Sequence, residues 1–262
     1  MQYYLALLIS LLSILIGPSR INAQNLDSLI IAGKQELNLA VRKWQETDLL
    51  KARAYFERLA TAQPKSVWAH YYVALADYRL ISFYFTKESE KQKEKHIDDA
   101  IERLKKAIEI DPACSEAYSL LGSVYGQKIT NMFNAMLYGS KSSAAIENGL
   151  KLEPENPRAW LIAGISSYYK PESFGGGAPK ALEQLETAVR YFNTWQSAGP
   201  QMPEWGHDEA YAWMGIAHIK TNQLEQANTD FQKALAINPH NAWVLRQLLP
   251  ALKKKQAETT HH

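Results

Sequence analysis

Apolar residues recur at three- and four-residue intervals over most of this 262-residue chain, in paired runs separated by short polar breaks. Between Tyr211 and Pro239 the pattern is plainest. Tyr211, Met214, Gly215 and His218 fall on one face of a first predicted helix, and Ala227, Phe231 and Ala234 on one face of a second. Pro239 ends the pair, since it has no amide hydrogen to continue a helix and it restricts Asn238 before it. Gly215 and Ala227 are small where the two backbones would cross. Matching offsets recur upstream. Leu26, Leu29, Ile30, Gly33, Leu37, Ala40, Val41 and Trp44 form one stripe, followed by Ala52, Phe56, Leu59 and Pro64. A second pair runs from Trp68, Ala69, Val73 and Ala74 to Ala100, Leu104, Ala107 and Pro112, and a third from Tyr118, Leu121, Gly122 and Tyr125 to Ile146, Gly149 and Pro154. The fourth joins Ala159, Trp160, Ala163 and Gly164 to Ala181, Leu185 and Ala188.

The pattern predicts an all-α chain of about five helical hairpins at 25–64, 65–112, 113–154, 155–193 and 207–239. A capping helix over 241–256 follows, amphipathic through Trp243, Leu245, Leu248, Leu249 and Leu252. No Gly or Pro breaks Ser66 to Asp111, so both helices of the second pair are expected to be about two turns longer than the hairpin needs. The third pair carries a surplus too, with Ile129, Met132, Phe133, Met136 and Leu137 at helical spacing. The expectation is that its first helix is extended and packs on Ile81, Phe83, Tyr84 and Phe85 of the pair before it, as a raised ridge. Lys87 to His96, where Lys and Glu alternate, reads as a solvated turn or helix face. Pro171 to Pro179 and Asn193 to Trp205 cannot be helical throughout.

The order of bulky, small, bulky and proline positions in Tyr211–Pro239 resembles the tetratricopeptide repeat (TPR) family, whose unit is about 34 residues. That resemblance implies a right-handed solenoid of irregular repeats whose concave groove binds a protein or peptide segment. That the chain is not an enzyme is expected because no catalytic constellation accompanies the repeats. Carried over by position, the groove would be lined by Tyr71, Leu75 and Tyr78, then Ser119, Ser123 and Gln127, then Leu161, Ile165 and Tyr168, and finally Ala212, Ile216 and Ile219. Arg158 is the basic candidate near it, too few for the carboxylate clamp of some TPR domains. The groove's low charge and its tyrosines leave a small apolar ligand as the other occupant, as in TPR accessory proteins of solute transporters; the chain's own helices could also fill it. Phe174–Gly177 and Pro203–Gly206 resemble segments of exported bacterial TPR proteins, which implies that the two irregular stretches touch.

Charge changes the picture little: 29 basic and 27 acidic residues give a net +2, which favours neither nucleic acid nor an anionic membrane. The N-terminus changes it more. Tyr3 to Gly17 is apolar and too short for a bilayer span, and Ala23 is a small residue suited to cleavage. Residues 1–23 are therefore expected to be a signal peptide, leaving 24–262 as an exported, periplasmic or extracellular chain with no stable membrane span; an uncleaved anchor is the alternative, since Met1-Gln2 lacks the usual basic charge. His261 and His262 end the chain.

Candidate chemistry is sparse. Gly175-Gly176-Gly177 could free backbone amides for a phosphate, but no Gly-x-x-x-x-Gly-Lys-Ser/Thr surrounds it, and a structural turn is the simpler reading. His207, Asp208, Glu209 and His218 lack His-Glu-x-x-His spacing, so no metal is expected, and Asp208 reads as a helix cap. Cys114 stands alone, with no base beside it, and Asp98 and Asp99 read as surface carboxylates. No catalytic residue and no cofactor is assigned.

Overall fold

The computed structural model describes residues 23–260; the apolar stretch Tyr3–Gly17, the Met1-Gln2 lead and His261–His262 lie outside them. Eleven α-helices and no strand occur among the described residues, and consecutive helices pack as hairpins. The hairpins are α1 (Ala23–Lys43) with α2 (Glu46–Ala62), α3 (Val67–Thr86) with α4 (Glu90–Ile110), α5 (Ser115–Gln127) with α6 (Met132–Leu152), α7 (Pro157–Tyr169) with α8 (Ala178–Thr194), and α9 (His207–Lys220) with α10 (Leu224–Ile237). A π-helical turn, Val244–Leu248, leads into the terminal helix α11 (Leu249–Thr260). Each hairpin packs on the next, α2 on α3, α4 on α5, α6 on α7 and α8 on α9, which gives the stacked solenoid.

Local chemistry starts and stops these helices. Ser66 accepts from the Ala69 amide at 3.2 Å to begin α3, and Asn156 accepts from Arg158 and Ala159 to begin α7, with Pro157 in the first turn. Pro64, Pro112, Pro154 and Pro239 each stand two residues past a helix end. Where the helices of four of the five hairpins cross, a glycine on the first meets a bulky side chain on the second. A Cβ added at Gly33, Gly122, Gly164 or Gly215 would lie 2.3–2.6 Å from Phe56, Ile146, Leu185 or Phe231. These glycines set how close the helices of a pair lie, and the buried Phe56, Leu185 and Phe231 fill the space they leave.

Two expectations need correction. The second hairpin does lengthen on both sides, α3 to 20 residues and α4 to 21. The third does not lengthen its first helix: α5 stops at Gln127, and α6 starts at Met132 under a capping box between Asn131 and Asn134. A side chain that bonds its own backbone favours a new N-terminus over continuation. The surplus therefore belongs to the first turns of α6, where Met132, Phe133 and Met136 are 88%, 95% and 84% exposed and pack on no ridge. Lys87–His96 is also less solvated than expected, since Lys93 and His96 are buried and His96 bonds Asp77 at 2.6 Å. No described helix is long and apolar enough to cross a membrane.

Candidate functional site

The segment from Trp195 to Gly206, between α8 and α9, runs back as a strap over α1, α3 and α7, the first helices of three hairpins and so the side expected to line the groove. Lys34 on α1 donates to the carbonyls of Pro200 (3.0 Å) and Met202 (2.8 Å) and to the Glu204 carboxylate (2.8 Å), so all three of its hydrogens are used. The Gln201 amide bonds Asp27, and the Tyr72 hydroxyl donates to the Gln201 carbonyl at 2.8 Å. Trp205 Nε1 donates to the Tyr71 hydroxyl at 3.0 Å, and its ring lies 6.4 Å from Tyr78. Just beyond the strap, Arg79 on α3 donates to Glu209 on α9 at 2.6 Å. Gly206, at φ 110°, permits the turn into α9, and a side chain there would strike Phe192.

The strap covers Tyr71, Tyr78, Leu161 and Arg158 of the expected groove, and neighbouring helices cover others. Tyr71, Leu75, Tyr78 and Leu161 are buried, and burial raises the pKa of the Tyr71 and Tyr78 hydroxyls. Ser123 donates to the Tyr78 hydroxyl, Ser119 is turned toward Gly149 of α6, and Ala212 is buried in the C-terminal core. Arg158 is 1% exposed: its Nε donates to Glu116 at 2.8 Å, and its guanidinium stacks 4.5 Å from the Trp195 ring centre. These eight positions therefore contact the chain itself rather than solvent. The offsets that placed them assume an open curve, and they say nothing of an insertion that folds back into it. Nor do the two irregular stretches meet, since they sit at opposite ends of α8, whose 17 residues span about 25 Å.

Gln127, Ile165, Tyr168, Ile216 and Ile219 remain half-buried. Ile216 and Ile219 lean on the terminal cap, where Lys255 donates to the Ile219 carbonyl. Tyr168 belongs to a strip of four rings, of which the offsets selected it alone. Tyr168 and Tyr169 of α7 each meet Trp213 of α9 edge-on, with centroids 5.7 and 5.8 Å apart, and Trp213 meets Trp243 at 5.6 Å. Lys220 sits 4.6 Å over the Tyr168 ring, and Tyr169 is 70% exposed. Partial desolvation, then Tyr168 and Tyr78, raise the Tyr169 pKa, so its hydroxyl stays neutral. The doublet Tyr168-Tyr169 and the position of Trp213 beside Ala212 were the available signals. The strip offers apolar faces, neutral hydroxyls and one cation, which suits binding rather than bond making.

Elsewhere the chemistry is structural. The three glycine amides are spent within their own turn: Gly175 donates to Glu172, Gly176 to Pro171, and Gly177 to Ser167 and Lys170. None is left for a phosphate. Asp77, His96 and Asp99 bring ligand atoms within 4.8 Å of one another, but Arg53 reaches Asp77 at 2.5 Å and Asp99 at 3.1 Å, so a guanidinium holds the place a metal would take. Burial pushes the Cys114 thiol up to about 12, which keeps it protonated and unreactive. His207 does not gather with His218. It stacks on Phe192 at 5.1 Å, whereas His218 bonds the buried Asp230 at 2.7 Å, and Asp208 accepts from Asn238 and Asn241.

Residues 208–241 match the family model of the tetratricopeptide repeat. No curated protein sequence matches the chain. Among solved structures it is similar to the haemophore HusA from Porphyromonas gingivalis, with 24% identity and a TM-score of 0.61 over 79% of this chain and 97% of that one. It is also similar to TTC0263, a thermophilic TPR protein of Thermus thermophilus, with 17% identity and a TM-score of 0.58 over 88% of this chain and all of that one. A third similarity is to the APC/C hetero-tetramer Cut9-Hcn1, with 17% identity and a TM-score of 0.53 over 84% of this chain and 40% of that one.

Proposed function

We propose that this chain, a tetratricopeptide-repeat protein, is an exported, non-enzymatic binding protein that holds a segment of a protein partner on the inner face of its C-terminal half. Stacked repeats of this kind serve as scaffolds, because the fold presents a continuous surface rather than an enclosed pocket. The observation that carries the reading is the ring strip Tyr169, Tyr168, Trp213 and Trp243, half-exposed beside Ile165 and Ile216, while the N-terminal half of the same face is closed by the strap. Export rests on the apolar stretch Tyr3–Gly17 and the small Ala23, and the site of action is periplasmic or extracellular.

A photo-crosslinking residue placed at Tyr169 in the native host should capture one partner protein. The same residue at Thr229, exposed on α10, should capture none. Equal capture from both positions, or none from Tyr169, overturns the strip as the docking surface. The mature chain should begin at Gln24 by N-terminal sequencing, and a start at Met1 overturns cleavage.

A second reading is a small planar apolar ligand on the same strip. It is favoured by the exposed Tyr169 hydroxyl beside three aromatic rings, and it fits the description of HusA as a haemophore. Haemin titration should then give a saturable absorbance change that Tyr169→Phe and Trp213→Ala weaken. An unsaturable, linear response overturns this reading and leaves the protein partner standing.

A further inference from the structure

An open cavity of about 420 Å³ lies where the end of α1 faces the start of the terminal cap, and it is lined by Arg42, Lys43, His240, Ala242, Leu245 and Arg246. Three of the six are permanent cations, one is a histidine, and none is a carboxylate. Lys43 reaches Asp48 at 3.4 Å, but Arg42 and Arg246 make no ion pair with any described residue. Basic residues in the last turn of α1 complement its helix dipole, and that accounts for Arg42 and Lys43 on their own. It does not account for Arg246 and His240 facing them from a separate element. Lys43 keeps Asp48 as a counter-charge, but Arg42 and Arg246 line the same cavity with none, and their repulsion is relieved by an anion in the gap.

We infer that this cavity binds an oxyanion of two or more charges, of the diphosphate or phosphate-ester class. Two arginines from opposite sides offer paired N–H donors matched to phosphate oxygens, and the lysine adds a point charge. The volume corresponds to roughly fourteen waters of about 30 Å³ each, room for a diphosphate with part of its hydration. Asp208, whose carboxylate bonds into the start of the cap, is already committed to Asn238 and Asn241. The site is independent of the aromatic strip.

The test is calorimetric titration of the full chain with inorganic pyrophosphate at pH 7.5 and low salt. One saturable site is expected, weakened at least tenfold in Arg42→Ala and in Arg246→Ala and unchanged in Lys253→Ala, with affinity falling as salt rises. All three side chains are exposed, so the melting temperatures of the variants should match the parent and exclude misfolding. Absence of a saturable heat, or equal affinity in the parent and both arginine variants, overturns the site. Tighter, arginine-dependent binding of a glutamate hexapeptide than of pyrophosphate overturns the phosphate class.

Discussion

Glu116 on α5 accepts from Arg158 on α7 at 2.8 Å, and both side chains are almost wholly buried, at 3% and 1% exposure. Burial raises the Glu116 pKa while Arg158 pulls it back, and one oxygen of the carboxylate has no partner. Such a pair does little net stabilising against apolar replacements, but removing one member strands a charge. Arg158→Met alone should therefore destabilise by about 3–5 kcal/mol in urea denaturation, and the double variant Glu116→Met/Arg158→Met should recover at least half of that loss. A double variant as weak as the single would show that geometry, not stranded charge, sets the cost.

Acid should loosen the fold through its half-buried histidines. His207, stacked between Phe192 and Tyr211, has its pKa lowered by burial, with Asp208 acting in the opposite direction. A lowered folded value means that the native state binds fewer protons than the unfolded chain. The associated stability is complete above the unfolded value of about 6.5 and is lost as pH falls through the folded one. The melting temperature should decline from pH 7.5 to pH 5, and His207→Phe should decline less. Equal slopes would remove His207 from the account.

The crossing glycines make a steric prediction. At Gly215 an added methyl would sit 2.3 Å from the Phe231 ring, and Phe231 is fully buried, so the ring cannot move aside freely. Gly215→Ala should lower stability by about 1–3 kcal/mol despite alanine's better helix propensity. Gly199→Ala, in open space, should change stability by less than about 0.5 kcal/mol.

Phe133 and Met136 make the opposite case. Exposed at 95% and 84%, they contribute little to the folded core, so Phe133→Ser/Met136→Ser should alter stability by no more than about 0.5 kcal/mol in urea denaturation. The same change should raise solubility, because large apolar groups in water favour self-association. A large loss of stability would mean that these side chains pack on something.

The hairpins were legible because their packing is local. Gly215 meeting Phe231, and Gly164 meeting Leu185, are contacts within about 20 residues, and the spacing of apolar positions encodes them directly. The break at Asn131 was missed because Met132, Phe133 and Met136 continue a helical period, which outweighed the reciprocal Asn131–Asn134 cap in a reading by periodicity. A groove filled by the chain's own helices was one expectation, but its filling by the Trp195–Gly206 segment was not legible. Lys34 and Met202, or Tyr71 and Trp205, are separated by more than 130 residues, and no local pattern reports that they meet. The strip around Trp213 shows a milder form of this failure, since its rings come from three elements.

In an open stack of repeats each unit touches only its neighbours, so either end can peel away while the rest stays folded. Here Lys34 of the first helix is bonded to carbonyls 166 and 168 residues downstream. Fraying at the first hairpin must break those bonds, and fraying of the fourth or fifth must break the same ones. The molecule is thereby closed into a loop of mutual dependence: heat or denaturant should melt it in one concerted transition, and cutting off either end should unravel the other.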